Sequence, residues 1–562
     1  MWSALTAVAN TLEAMADGCA APAVHLASLD PGVGKSQTVA HFIKALLQSS
    51  AHTGTSVLVC LGRKKQIEDF IRDAGLREED FAVVTADKAM NKRGRGAASS
   101  ARVLFTTHSM VESRCEGRPF PEAEEFHYRG QPRDVRIWDE AIVPGRAMTL
   151  SRYDVSMLLK PLHVRHPALA AALDSMNSAL ERLDSGMLFA VPDLATEHNV
   201  DLDTAIAALG AEDRAERRQA LTSLWFLFGR VVTVRRSKYG TAVLDYKETL
   251  PEGLAPLLVL DASSRQQVRA TYRLWDEYRG GVARLPEAPK DYSPLTVHLW
   301  RRGGGKTTFR SDVRGELADG IAHTIKQKPG ERWLVVFHKD TGTEAAVLRR
   351  LGKKLASNVH FLNWGAHEAT NDFADVPNVI LAGTLFYPPQ YYEALSRAAA
   401  GRPPADGEMP ARDVKDVELG EHRHVILQAL CRGAVRKCDG ASCPKVDAYI
   451  IASSRSGIAE QLPVIFPGVN VVPWRPVQRA LKGKAGDAAR FIIDAIAGGA
   501  QSVPFSAVRE HIGVDNAANF NRNIRRHAEF TEVIAEQGIA EWPPQRPTGF
   551  ARAYALYFGN EN

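Results

Sequence analysis

Short apolar runs alternate with amphipathic stretches over the first 150 residues. Residues 1–20 space their apolar side chains as a helix does, and the stretch from Val24 to Thr38 reads as a buried strand, a glycine-bearing turn and a helix start. Further apolar runs lie at 55–61, 81–85, 102–108 and 135–140, and residues 257–264 return to the same style. Strands of this kind, separated by helices, predict a parallel sheet covered on both faces. Residues 151–228 switch to helical spacing and read as an inserted helical subdomain. Residues 231–246 alternate like a hairpin turning at Tyr239-Gly240. A second α/β run has strands at 295–300, 333–338, 359–362, 379–383 and 448–452, with a Pro-, Gly- and charge-rich loop over 401–420. From about 478 the pattern gives helices at 488–497, 505–511 and 516–527, then a hairpin-like tail through 542–557. That order predicts a winged helix-turn-helix, or else a small helical cap on the second domain.

The predicted fold class is therefore α/β, with a helical insertion in the first parallel-sheet domain and a winged-helix-like C-terminal domain. The division is 1–150 with 229–265 as the first domain, 151–228 as the insertion, 266–477 as the second domain and 478–562 as the third. A chain of 562 residues has room for three or four domains of ordinary size.

Composition narrows the classes. Hydrophobic residues make up 45% and charged residues 24%, as in soluble globular proteins. A net charge of +5 is too small for a uniformly basic coat, so any nucleic-acid surface is local. No apolar run approaches the roughly 20 residues of a membrane helix, and Met1–Leu5 does not open a signal peptide. No membrane partner is expected. Cys431, Cys438 and Cys443 share a C-x6-C-x4-C spacing, but no fourth ligand completes a metal site. The six cysteines read as reduced thiols, and the expected location is cytoplasmic.

The chemistry starts after the first strand. Pro31, Gly32, Val33, Gly34, Lys35, Ser36 and Gln37 form a glycine-bearing turn that opens a helix. Gly32 and Gly34 let the backbone wrap a phosphate, and the first helical N–H groups point at the anion. Lys35 would reach the terminal phosphates of ATP and Ser36 would hold Mg²⁺. This is a Walker A loop in which Leu29 replaces the usual small first residue. Asp139 and Glu140 end the strand at 135–140, expected beside the Walker A strand, where Asp139 would hold the metal and Glu140 would orient and deprotonate the attacking water. Gln428, Arg432 and Arg436 stand four apart, on one face if helical. Two guanidiniums there would stabilise charge on a transferring phosphoryl group, or else simply form a solvated basic helix face. The glycine run at 303–308 imitates a phosphate loop, but its first glycine is replaced by Trp300.

In order, residues 29–36, Trp138-Asp139-Glu140-Ala141-Ile142 and Gln428-x-x-Cys431-Arg432-x-x-x-Arg436 resemble motifs I, II and VI of superfamily 2 helicases. Cys431 stands for the usual glycine, and Arg436 falls one position late. Gly62-Arg63-Lys64 looks like motif Ia, Thr106-Thr107-His108 like the Thr-bearing motif after the next strand, Asp261-Ala262-Ser263 like motif III, and residues 365–373 with Gly383 like motif V. The resemblance implies two RecA-like domains with ATP between them, Lys35, Ser36, Asp139 and Glu140 on one wall and Arg432 and Arg436 on the other. It also implies a nucleic-acid strand on the opposite rim, with Arg63, Lys64, Thr107 and His108 as contacts. Arg522, Arg525 and Arg526 would add contacts if the C-terminal domain binds nucleic acid. The expected activity is an ATP-dependent helicase or translocase on DNA, favoured over RNA. The alternative is an ATP-switched initiator or loader that clamps DNA and recruits protein partners, with the helical insertion available to them.

Overall fold

The computed structural model describes residues 1–553 except 96, 213, 313–314, 367–371, 477–480, 482 and 544. The middle of the motif V candidate and the end of the C-terminal tail lie outside the described residues. The chain forms two compact units, one of Met1–Pro289 with Phe386–His424, the other of Lys290–Leu385 with Val425–Asn562.

The first unit is built on a seven-stranded sheet. Its order across the sheet is Val282–Arg284, Val24–Ala27, Leu257–Leu260, Val135–Asp139, Val57–Leu61, Val103–Thr107 and Phe81–Val84. All neighbours are parallel. Central strands such as Val57–Leu61 are buried at every residue, as expected when helices cover both faces. The order corrects one expectation: the strand ending in Asp139 is not beside the Walker A strand, because Leu257–Leu260 lies between them.

The division at 265 also moves. Val282–Arg284 pairs with Val24–Leu26 and closes the edge of the first sheet, so residues 266–289 belong to the first unit. This three-residue edge strand is only half-buried, so it carries no apolar run to betray it. Residues 386–424 belong to the first unit as well. There Arg279 donates to the carbonyls of Ala398 at 2.7 Å and Ala399 at 3.1 Å, and Arg235 pairs with Glu393 at 3.3 Å.

The insertion has helices Arg152–Arg165, Pro167–Leu180 and Ala215–Leu227 and a core of its own around Leu158, Leu173 and Leu224. It is not purely helical. Gly145–Ser151, Gly240–Glu248, Val231–Ser237 and Leu188–Ala190 form a four-stranded antiparallel sheet. Ser237 pairs with Gly240, so the hairpin turns at Lys238-Tyr239, one residue earlier than the Gly suggested.

The second unit holds a six-stranded parallel sheet in the order Val359–Asn363, Trp333–Phe337, Asn378–Ala382, Val446–Ile451, Leu295–Trp300 and Asn470–Pro473. The glycine run at 303–308 is no phosphate loop in this fold. Its helix, Lys306–Arg310, is five residues long, and the Gly303 N–H donates to Glu532 at 3.3 Å. A Cβ on Gly304 would stand 2.7 Å from the Ile451 carbonyl and 2.8 Å from Gly383.

The C-terminal region has helices Gly483–Ala497, Phe505–His511, Ala517–Phe520 continuing into the π-helical Asn521–Arg525, and Ala528–Glu536, with an antiparallel sheet in the order Ser502–Pro504, Gly549–Arg552, Ile539–Trp542. That is the winged-helix order. The basic helix expected over 516–527 forms as Ala517–Phe520 and Asn521–Arg525, and a further helix, Ala528–Glu536, stands between it and the wing. It carries Glu529, Glu532 and Glu536. Glu536 is buried and accepts from Trp300 Nε1 at 3.0 Å, while its carbonyl takes Arg475 at 2.7 Å. This further helix is acidic and packs on the second sheet. Arg525 is also corrected: it grips Glu541 with two bonds of 2.7 and 2.6 Å and covers the Phe505 ring at 4.3 Å, a structural role. Arg522 and Arg526 are exposed.

No helix among the described residues is long and apolar enough to cross a membrane. No disulfide joins any of the six cysteines, and Cys431 and Cys443 lie in the core of the second unit. Among the described residues no cluster of three or more His, Cys, Asp or Glu is arranged to hold a metal.

Candidate functional site

Strand register assembles the site. Ala27 aligns with Leu260, and Leu260 with Asp139, so the loops after three adjacent strands leave the sheet side by side. These are the Walker A loop, the 261–265 segment and Asp139-Glu140. In parallel sheets, ligands bind at this end of the strands. The two parallel sheets are RecA-like.

In the phosphate loop Gly32 and Gly34 adopt φ of +85° and +104°, which favour glycine. Helix Lys35–Gln48 starts after Gly34 with no side-chain cap, leaving its first N–H groups for an anion. Ser36 and Gln37 are exposed in that first turn. Lys35 Nζ lies on the carbonyls of Leu29 and, at 3.4 Å, Asp30. The donor set fits a nucleoside triphosphate. The Leu29 departure is now explained: its side chain is fully buried and its backbone bridges Ala288, so what it offers the loop is a carbonyl.

Glu140 has φ of +86°, one of four non-glycine residues so placed among those described. Such a conformation costs about 1–3 kcal/mol and persists only where neighbours enforce it. Here the Glu140 N–H donates to the Leu260 carbonyl at 3.2 Å, and Gln66 Nε2 donates to its carboxylate at 2.8 Å. The Gln66 oxygen in turn accepts the Arg63 N–H at 2.9 Å. One side chain thereby joins Glu140 to Gly62-Arg63-Lys64. A Cβ on Gly62 would come within 3.2 Å of the Glu140 carboxylate, so that position has little room for a side chain.

The 261–265 segment ties the site together. Ser264 Oγ meets Ser28 Oγ at 2.8 Å, and Arg265 pairs with buried Asp30 at 3.3 Å, both against the Walker A strand. Asp261 is fully buried. It accepts from Ser263 N and Oγ, both at 2.7 Å, and from Tyr272 OH at 2.8 Å. Burial pushes its carboxyl up, but Arg269, His424 and Ser263 hold it below the ordinary carboxylate value overall. Tyr272 OH also accepts the Ile142 N–H at 3.1 Å, which fixes the residues after Asp139-Glu140. Nothing in the local sequence marks Tyr272, Arg269 or Gln66, because their partners are remote along the chain.

Past Glu140 the same rim opens into a groove of about 640 Å³ lined by Arg63, Lys64, Thr85, Lys88, Thr107 and Ser109. Lys64 pairs with Asp87 at 2.7 Å, and Thr107 Oγ1 also accepts the Met110 N–H at 3.3 Å. Three of the four residues expected there line it. His108 does not. Its ring stacks on Trp138 at 4.0 Å, its Nε2 meets the Cys60 carbonyl at 3.2 Å, and burial pushes its pKa down to about 4. A neutral imidazole turned inward cannot serve as a phosphate contact.

In the second unit Gln428, Arg432 and Arg436 do not share a helix face. Helix Ala411–Leu430 stops before Arg432, and Ala434–Arg436 is a separate 3-10 turn. Between them Gly433 is extended, and its backbone lies so close to Val376 and Val379 that a Cβ would stand 2.4 Å from Val379. Arg432 is buried and donates to Gln428 Oε1 at 2.8 Å. Lys290, not singled out in the sequence, holds the Arg436 turn by donating to the carbonyls of Val435, Arg436 and Lys437 at 2.8, 3.0 and 3.3 Å. Lys290→Met should lower stability by about 1–3 kcal/mol through the abandoned carbonyls, read from the shift of a urea unfolding midpoint. An unchanged midpoint would show that water replaces the ammonium.

No protein-family model and no curated protein matches the chain. Among solved structures it is similar to XPD in its apo form, with TM-score 0.48 and 14% identity over 83% of this chain and 100% of that one. It is similar to S. tokodaii Xpd4, with TM-score 0.44 and 12% identity over 84% and 100%. A third is the Mycobacterium smegmatis helicase Lhr bound to ssDNA and AMP-PNP, with TM-score 0.36 and 12% identity over 92% and 54%.

Proposed function

We propose that the chain is a nucleic-acid-stimulated ATPase of the superfamily 2 helicase type, which uses ATP hydrolysis to move along or unwind a strand. The observation that carries this reading is Gln66, which bonds both Glu140, at the same sheet end as the phosphate loop, and the backbone of Arg63 in the basic groove. A hydrolytic carboxylate and a strand-binding surface are two bonds apart, so occupancy of one bears on the other.

Residues 31–37 hold the triphosphate, with Lys35 leaving the loop carbonyls for the terminal phosphates. Ser36 and Asp139 would hold Mg²⁺, which supplies charge neutralisation on the phosphate oxygens. Glu140 orients the attacking water and accepts its proton. Arg432 and Arg436 are assigned to the charge that develops during transfer. Arg63, Lys64 and Thr107 take the strand by its backbone, a sequence-tolerant contact that weakens as salt rises. Arg522 and Arg526 are the C-terminal candidates.

Turnover measured in parallel with single-stranded DNA, duplex DNA and RNA tests the reading. At least one single strand should stimulate the rate, and Lys35→Ala should remove turnover to background. Strand binding that depends on ATP with little turnover would instead favour the clamp-and-recruit alternative.

A further inference from the structure

Within the first unit, the strand Val135–Asp139 has a different neighbour on each side. On one side Leu257–Leu260 separates it from the Walker A strand, and on the other lies Val57–Leu61, which leads into residues 62–66. The phosphate loop and the 62–66 turn therefore flank Glu140 from opposite sides. The Glu140 carboxylate is turned to the second. Its Oε1 accepts from Gln66 Nε2 at 2.8 Å, and its Oε2 stands 3.2 Å from where a Cβ on Gly62 would sit. A general base must come within about 2.6–3.2 Å of the water it deprotonates. Held on the Gly62 side, the carboxylate faces away from the strand that carries the phosphate loop.

Only the side chain has to move for the carboxylate to turn back, because the Glu140 N–H is tied to the Leu260 carbonyl at 3.2 Å. The group that holds the side chain is Gln66, the third residue of helix Lys64–Ala74 and half-buried. The Gln66 amide is held in turn, since its Oε1 accepts the Arg63 N–H at 2.9 Å. Arg63 is exposed and lines the basic groove together with Lys64. Backbone N–H groups are ordinary partners of nucleic-acid phosphates. A phosphate oxygen in the groove and Gln66 Oε1 thus compete for one proton.

We infer that Gln66 is a positioning residue that holds Glu140 off the phosphate side until a strand phosphate takes the Arg63 N–H and frees the Gln66 amide to turn away. The inference rests on the ATPase reading above and deepens it by giving the link a sign. Without nucleic acid, Gln66 restrains hydrolysis.

The test measures ATP turnover of the full chain without nucleic acid and with saturating single-stranded DNA or RNA, whichever stimulates. Gln66→Ala should raise the strand-free rate by about tenfold, the worth of one hydrogen bond to a charged group. The KM for ATP and the strand-saturated rate should stay those of the unmodified chain, so the stimulation shrinks. A residue that only packs would lose turnover in both conditions instead. Gln66→Glu keeps an acceptor for the Arg63 N–H but removes the donor to Glu140, and it should raise the strand-free rate as well. That variant also covers the case in which Gln66→Ala fails to fold. Adding Glu140→Gln to either variant should erase the gain. A strand-free rate that does not rise in the folded variant, with stimulation intact, overturns the restraint alone. Absence of turnover in the unmodified chain with single-stranded DNA, duplex DNA and RNA overturns the ATPase reading and the restraint with it.

Discussion

Glu140→Gln is expected to bind ATP as the unmodified chain does and to hydrolyse it about 10²–10⁴ times more slowly, the usual worth of a positioned base. The substitution keeps the shape of the side chain, and an amide oxygen can still accept from Gln66, so the loop geometry survives. What disappears is a group able to take a proton. The backbone supports the assignment independently. Glu140 is held at φ +86° by the Leu260 carbonyl, a strained placement of a kind that clusters at active sites. A companion variant, Glu140→Gly, relieves that strain. It should unfold at the same or a higher temperature while losing turnover as completely. Single-turnover hydrolysis and a thermal melt measure the pair. Turnover within tenfold of the unmodified chain in Glu140→Gln would sink the assignment.

Arg432→Ala is expected to lower strand-stimulated turnover by about 10³ or more, as loss of a transition-state arginine does. Arg432→Lys should not recover it, because an ammonium lacks the planar fork that meets two oxygens at once. The competing explanation is packing: Arg432 is only 4% exposed and bonded to Gln428. The two are separated by measuring stability beside activity. A packing residue loses melting temperature and turnover together, and Lys, with a similar stem, partly restores both. A charge-stabilising residue loses turnover with nucleotide affinity nearly kept.

Much of the fold was legible because buried parallel strands write continuous apolar runs. Val57–Leu61, Val103–Thr107 and Trp333–Phe337 are buried throughout, and each announces itself. The half-buried edge strands Val282–Arg284 and Asn470–Pro473 do not, since an edge is covered by fewer neighbours. The same limit hid Leu188–Ala190 inside the insertion. The phosphate loop was legible for a different reason: its chemistry is local, with glycines, Lys35 and Ser36 adjacent along the chain. Gln66, Tyr272, Arg269, Lys290 and His424 left no comparable trace. Each acts on a partner brought near only by folding, and side chains of their kind are common on any solvated surface.

The basic stretch at 516–527 shows the converse. Arg525 has the look of a strand contact, yet folding supplies Glu541 and Phe505, and the charge is used internally. His108 is similar, a polar residue in a motif position that Trp138 draws inward by stacking.

The sequence alone carries the candidate phosphate cradle, because such a cradle is set by a few consecutive residues and their backbone freedom. It also determined the two parallel-sheet halves, through runs of buried apolar side chains. Only the tertiary structure decided which strands are neighbours, that Leu257–Leu260 lies between the Walker A strand and Asp139, and that Gln66 joins Glu140 to Arg63. Those facts depend on register and on contacts between residues far apart in the chain, which no local pattern encodes.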